Sequence, residues 1–249
     1  MNTLPTISII TVVYNAANDL DKTIKSIAAQ SYKNIEYIIV DGASTDHTTE
    51  VIKAHSNSVI KWISEKDNGI YDAMNKGIHL ATGDYLWFMN AGDEIAEADT
   101  LSKVFNLAQN ADIYYGDTTM IDENGNKIGN RRLQPPKNLN WKSFKKGMLV
   151  SHQSFIVKRS IVDLYNLKYH FSADFEWCLI ALKRATQIIN TQLTLSLFLD
   201  GGVTKQNIKA GLKERFKIMS QYYGLIPTLY EHLFIAFKFF WFWGKNGRF

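Results

Sequence analysis

The clearest chemistry in this chain belongs to carboxylates that follow apolar runs. In "YLWFMNAGDE", residues 85 to 94, five large apolar side chains lead into Asn90, Ala91, Gly92, Asp93 and Glu94. An uninterrupted run of this kind reads as a strand buried on both faces, with the acids at its carboxyl end. "IEYIIVD" ends on Asp41, Asp67 stands in "EKDNG" just after another β-rich run, and Asp174 and Glu176 lie in "FSADFEW". An ionised carboxylate can ligate a divalent cation, accept a hydrogen bond from a nucleobase, or take a proton from a hydroxyl. Each has a plainer reading too. "NAGDE" can be a turn, "DGASTD" can hold an Asx turn with Asp46 capping a helix, and Asp174 and Glu176 can be acids drawn to the positive end of a helix capped by Ser172.

Such residues do chemistry only if the fold brings them to one edge. "ISIITVVY" (7 to 14), "IEYIIVD" (35 to 41), "VIKWISE" (59 to 65) and "DYLWFM" (84 to 89) are short β-rich runs. Between them, near 18 to 30, 46 to 55 and 70 to 81, apolar residues recur at helical spacing. That alternation predicts βαβ units and a parallel sheet, whose ligands sit beyond the carboxyl ends of the strands. After residue 110 the rhythm changes, with a hairpin around "ENGN" and an irregular loop over "LQPPKNLNWKSFKKG". A strand at 153 to 157, a helix at 174 to 185, a strand at 187 to 197 and helices from about 208 complete the chain. The expected organisation is an α/β domain over 1–205 and a helical extension over 206–249.

Composition excludes several classes. The 249 residues carry a net charge of +4 with the lysines spread along the chain, which gives no footprint for nucleic acid. The single Cys178 rules out an internal disulfide or a cysteine zinc cluster, and within "WCLIAL" it reads as a buried structural thiol. No two of the six histidines have metal-ligand spacing. No GxGxxG follows the first strand and no GxxxxGK[ST] occurs, which argues against dinucleotide and P-loop enzymes. The amino terminus lacks a basic segment and a small-residue cleavage site, so no signal peptide is apparent and a cytoplasmic location is expected.

The motifs in series carry a resemblance. "ISIITVVYNAANDLDKTIKSIAAQSYKNIEYIIVDGASTDHT" followed by "EKDNGIYDAMNKGIHLATGDYLWFMNAGD" resembles the family 2 glycosyltransferases of the GT-A fold, inverting enzymes that use nucleotide-diphospho-sugars. It is strong over about 6 to 118, recognisable in "SHQSFIVKR" and "FSADFEWCLIAL", and generic after about 205. The resemblance implies an α/β GT-A fold, a mainly parallel sheet with a Rossmann-like nucleotide-binding half and carboxyl-terminal helices. It also implies a UDP-sugar donor and a Mg2+ or Mn2+ cofactor. By this resemblance Asp93 is the metal ligand and Asn90 lies near the ribose, although Asn90 and Gly92 occupy positions that are often acidic. Asp41 meets the base, and Tyr14 and Asn15 close the first strand beside it. Asp67, Asn75 and Lys76 lie close to the donor, Lys76 being also readable as a solvated helix lysine. His152 approaches the diphosphate or metal, or is structural. Asp174 is the catalytic base, with Glu176 as the alternative; the acid that usually precedes it is Ala173 here.

The last segment, "LFIAFKFFWFWGKNGRF", has apolar runs too short to cross a bilayer, which takes roughly 20 residues. Aromatics flanked by Lys238, Lys245 and Arg248 suit a helix lying in the membrane interface, or one packed on the domain itself. The resulting expectation is an inverting transferase on the inner face of the cell membrane, acting on a lipid-linked glycan in surface polysaccharide synthesis. Two rivals stand beside it. A sugar-phosphate nucleotidyltransferase should show a Gly-rich basic loop where "YNAANDL" stands, and a silent nucleotide-binding scaffold would explain the thinned acidic cluster.

Overall fold

The computed structural model describes residues 4–59, 61–108, 110–201 and 207–234. The first half follows the βαβ rhythm: β1 (Ile7–Val13), α1 (Ala17–Ala28), β2 (Ile35–Asp41), α2 (Thr48–Ala54), β3 (Lys61–Ser64), α3 (Ile70–Leu80) and β4 (Tyr85–Phe88). Strands β1 to β4 pair in parallel in the order β3-β2-β1-β4, as the alternation predicts. The second half contains β5 (Glu94–Ile95), α4 (Thr100–Leu107), β6 (Ile113–Ile121), β7 (Lys127–Asn130), β8 (Phe155–Lys158), α5 (Ala173–Arg184), β9 (Ile188–Leu199) and α6 (Ile208–Tyr223). Here the sheet turns mixed: β8 lies antiparallel between β4 and β6, and β9 runs parallel to β6.

Every residue of β1 and β4 is buried, so their apolar runs are explained by helices on both faces. Period-two alternation divides them. Ile10, Val12, Leu86 and Phe88 face a layer built with Tyr71 and Met74 of α3, Phe175 and Trp177 of α5, and Ile218 and Met219 of α6. Ile7, Ile9, Tyr85 and Trp87 face the opposite layer, with Leu20 and Ile24 of α1, Ile52 of α2, and Leu101 and Val104 of α4. The first layer lies under the site.

Three local features depart from the sequence expectation. The two-residue strand β5 follows "NAGD" directly and the short helix α4 comes after it; neither has a periodic pattern long enough to read alone. The loop after the β6–β7 hairpin contains a 3-10 helix, Trp141–Lys146, opened by a reciprocal cap between Asn140 and Ser143. Ser172 precedes α5 but does not cap it; its hydroxyl donates to the Gly211 carbonyl of α6 at 3.1 Å. Asp46 does act at a helix start, accepting from the Thr48 N–H at 3.0 Å and from the Ala17 N–H at 3.3 Å, so one side chain ties the beginnings of α1 and α2 together.

Candidate active site

The carboxyl ends of β1, β2 and β4 form one edge. At the end of β2, Asp41 is fully buried. Its oxygens accept from the Ser64 hydroxyl at 2.6 Å, the Ser44 N–H at 3.1 Å and the Ser44 hydroxyl. All of these groups donate, so Asp41 acts as an acceptor. Asp67 caps its own turn through the Gly69 N–H at 2.9 Å. A Cβ on Gly42 would lie 2.5 Å from Asp67 Oδ2 and 3.4 Å from the Tyr14 ring, so the missing side chain at 42 lets Asp67 and Tyr14 converge on Asp41. Tyr14 is 64% exposed, a free aromatic face beside a buried acceptor. Asn15 works on the frame instead: with φ of 48°, it accepts from the Thr45 N–H at 2.8 Å and donates its own N–H to the Ser44 hydroxyl.

Lys76 meets this edge through the loop before α3. Its ammonium donates to the Lys66 carbonyl at 2.7 Å and pairs with Glu65 at 3.0 Å, bracing the turn that carries Asp67. The structure adds this bracing role to the phosphate and solvated readings of Lys76.

Asp93 is also turned inward. It is 4% exposed, Oδ2 accepts from Gln153 Nε2 at 3.0 Å, and Oδ1 accepts from the Leu199 N–H at 3.2 Å. Burial pushes its carboxyl up to about 7, against the partial relief those donors supply. Gly92 has φ of +96°, and a Cβ there would meet Leu199 Cδ2 at 2.7 Å, so a second acid at this position would take a strained backbone and push the Leu199 side chain aside. No cluster of three or more His, Cys, Asp or Glu with metal-holding geometry occurs among the described residues. Asp93 is the residue that would hold the Mg2+ or Mn2+ that the resemblance implies; each of its oxygens carries one donor, Gln153 or Leu199, and keeps a lone pair besides. Asn90 differs: its Oδ1 is buried and has no hydrogen-bond partner.

A second group of polar residues lies at the start of α5. Asp174 Oδ1 accepts from the Tyr71 hydroxyl at 3.0 Å and from the Phe175 N–H at 2.9 Å. Its Oδ2 faces His152 Nδ1 at 3.7 Å, beyond hydrogen-bond length. His152 is held edge-on to Phe88, with ring centroids 6.2 Å apart, while the neighbouring Gln153 carbonyl accepts from Trp87 Nε1 at 2.8 Å. Burial lowers the His152 pKa; Asp174 works against that and Arg131 with it, so the imidazole is neutral at neutral pH. Its Nε2 and the nearby Tyr165 hydroxyl are buried without partners. Glu176, two residues on, points elsewhere: it accepts from Asn166 at 2.9 Å and from Tyr222 at 3.1 Å, and is 3% exposed. Of the two acids in "FSADFEW", only Asp174 has an oxygen left over. Sequence reasoning missed Tyr71, Gln153, Tyr165 and Arg131, none of which stands in a recognisable spacing.

A mixed sheet covered on both faces, with polar groups gathered past its parallel strand ends, is the architecture of a nucleotide-handling α/β enzyme. The Glycosyl transferase family 2 model matches residues 8–164, and the chain belongs to that family. A PGL/p-HBAD biosynthesis glycosyltransferase of Mycobacterium bovis is 33% identical over 182 residues, covering 70% of this chain and 68% of the relative. Among solved structures, Staphylococcus aureus TarS 1–349 in complex with UDP-GlcNAc superposes with a TM-score of 0.66 at 16% identity, covering 87% of this chain and 65% of that one. The mannosyltransferase PcManGT of Pyrobaculum calidifontis, in complex with GDP-Man and Mn2+, gives a TM-score of 0.62 at 17% identity, covering 93% and 71%. The fold is the GT-A fold, and the chain is a glycosyltransferase.

Proposed function

We propose that this protein transfers a sugar from a nucleotide-diphospho-sugar, a UDP-sugar, to an acceptor hydroxyl with inversion, and that Asp174 is the general base. The observation that carries the reading is the state of Asp174: one oxygen is held by Tyr71 and the backbone, and the other is left facing the site beside neutral His152. A carboxylate so held can take the acceptor proton while the hydroxyl oxygen attacks the anomeric carbon from the side opposite the nucleotide, which inverts that carbon. Tyr14 offers a face for the base and Asp41 an acceptor for its N–H, with Asp67 and Gly42 completing the pocket wall. Glu176 and Lys76 hold the frame. The UDP-GlcNAc and GDP-Man complexes of the solved relatives support a nucleotide-sugar donor.

The acceptor is proposed to be a lipid-linked glycan of surface polysaccharide synthesis, met at the inner face of the cell membrane. The helical stretch 225–234 supports this. Thr228 is buried and the His232 ring packs edge-on to Phe216 of α6, while Leu225, Ile226, Leu229, Tyr230, Leu233 and Phe234 on the other side are exposed. A helix whose apolar face points outward suits an interface with lipid. No helix among the described residues is long and apolar enough to span a membrane. The aromatic cluster Phe239, Phe240, Trp241, Phe242 and Trp243 lies outside the described residues.

Hydrolysis and transfer measured across a panel of UDP-, GDP- and dTDP-sugars test the proposal. Turnover of one UDP-sugar, with the released product of opposite anomeric configuration, is expected. Nucleotide binding without any turnover would instead mark a silent scaffold.

A further inference from the structure

Away from Asp174, the 3-10 helix Trp141–Lys146 and the last turn of α5 meet the last turn of α6. The Trp141 and Tyr223 rings stack with centroids 5.3 Å apart and planes within 10°, and the Tyr223 hydroxyl donates to the Trp141 carbonyl. Tyr222 is tied inward, its hydroxyl donating to Glu176 at 3.1 Å. Three lysines lie over these rings. Lys183 places Nζ 5.3 Å from the Trp141 centroid and 5.4 Å from that of Tyr222. Lys145 Nζ is 5.4 Å from the Tyr223 centroid, and Lys142 Nζ is 5.9 Å from that of Trp141. All of these distances are within cation–π range, so the rings gather the three charges onto one small surface.

None of the three ammoniums is in an ion pair with a carboxylate among the described residues. A cleft of about 470 Å3 opens beside Lys183, lined also by Asp163, Ile180, Arg184 and Tyr222. Its one carboxylate, Asp163, is held by Arg184 at 2.6 Å, which leaves the Lys183 charge uncompensated. Three like charges so gathered repel one another, and an anionic partner relieves that repulsion. The chain that follows identifies the partner. Gly224, at φ of 88°, turns α6 into the helical stretch 225–234, whose His232 ring lies 5.0 Å from that of Phe216. Leu225 and Ile226, the first residues after the turn, are 56% and 81% exposed. A soluble polyanion would meet the lysines and leave these two side chains in water. A bilayer of anionic lipid offers phosphates to the lysines and hydrocarbon to Leu225 and Ile226, with Trp and Tyr favoured at the depth between.

We propose, resting on the membrane location given above, that Lys142, Lys145 and Lys183, held on Trp141, Tyr222 and Tyr223, form a docking surface for anionic phospholipid headgroups. The protein thereby selects acidic membrane surface over neutral bilayer. Charge and apolar contact act together, since interfacial binding scales with both. Each lysine at an anionic surface contributes about fivefold in affinity, and the three together about a hundredfold.

Sedimentation of the full chain with vesicles of phosphatidylcholine alone, and of phosphatidylcholine mixed equally with phosphatidylglycerol, tests this. Wild type should bind the mixed vesicles at least about a hundredfold more tightly, and added salt should remove most of that difference. The triple variant Lys142→Gln, Lys145→Gln, Lys183→Gln should lose about a hundredfold in affinity for the mixed vesicles, while the same three positions changed to Arg should keep it. An unchanged Tm is the folding control for both variants. A folded Gln variant that keeps its mixed-vesicle affinity within about threefold, or wild type that binds both vesicles alike, would overturn the proposal and leave the apolar contact of 225–234 standing. Wild type that ignores both vesicles would overturn it together with the membrane location, and capture of heparin in place of vesicles would make the partner a soluble polyanion. The donor class is untouched by these results, since the sugar-nucleotide panel tests it separately.

Discussion

Asp93 gives the most quantitative test of how this site is built. Burial raises its carboxyl from 3.8 to about 7 in the folded protein. The folded state therefore retains a proton that the unfolded chain gives up earlier. Stability is highest below the unfolded value, is lost progressively as pH rises from about 4 to about 7, and stays lost above that. The full penalty is on the order of 4 kcal/mol, and about 1 kcal/mol of it falls between pH 6 and pH 8. Asp93→Asn removes the ionisation. Its carbonyl still accepts from Leu199, and its new N–H2 can be met if the Gln153 amide turns over, with the Ser151 hydroxyl that now donates to Gln153 turning to accept. Differential scanning fluorimetry in EDTA should show the Tm of wild type falling by about 2–4 °C more than that of Asp93→Asn between pH 6 and pH 8. The variant should be the more stable protein at pH 8. Equal pH slopes for the two proteins, or a variant less stable throughout, would refute the account of Asp93 as a buried structural acid.

Other outcomes follow from the same geometry. Asp174→Asn should keep UDP affinity and lose turnover by about 10²- to 10⁴-fold in steady-state assays, as expected for a general base; a greater loss in Glu176→Gln would reverse the two roles. Gly92→Asp should lower the Tm, because a non-glycine residue at φ of +96° costs roughly 1–3 kcal/mol and its Cβ strikes Leu199, and it should gain no Mn2+ affinity by calorimetry. A Gly92→Asp protein that is stable and gains Mn2+ affinity would show that the Leu199 side chain yields and that a second acid fits at the end of β4.

The sequence by itself determined the order of elements in the amino-terminal half, because period-two and period-3.6 patterns are local. "ISIITVV" can divide Ile9 from Ile10 between two layers whatever lies on either side. It also placed Asp41, Asp67, Asp93 and Asp174 at element ends, since strand ends and helix starts have local signals. The work each acid does was decided elsewhere. Asp174 and Glu176 are two residues apart on one helix, so they point to different sides of it. Only the packing of α3 against one and of α6 against the other leaves Asp174 facing the site and engages Glu176 with Tyr222. Asp93 is claimed by Gln153 and by Leu199, which lies 106 positions away, and Lys76 is claimed by the turn before α3. Ser172 meets α6 only because Gly211 and Glu214 dock that helix on the chain before α5. Periodicity reports which face of an element is buried, but the partner that satisfies a buried charge comes from whatever the sheet order brings beside it, and that is a property of the tertiary structure alone.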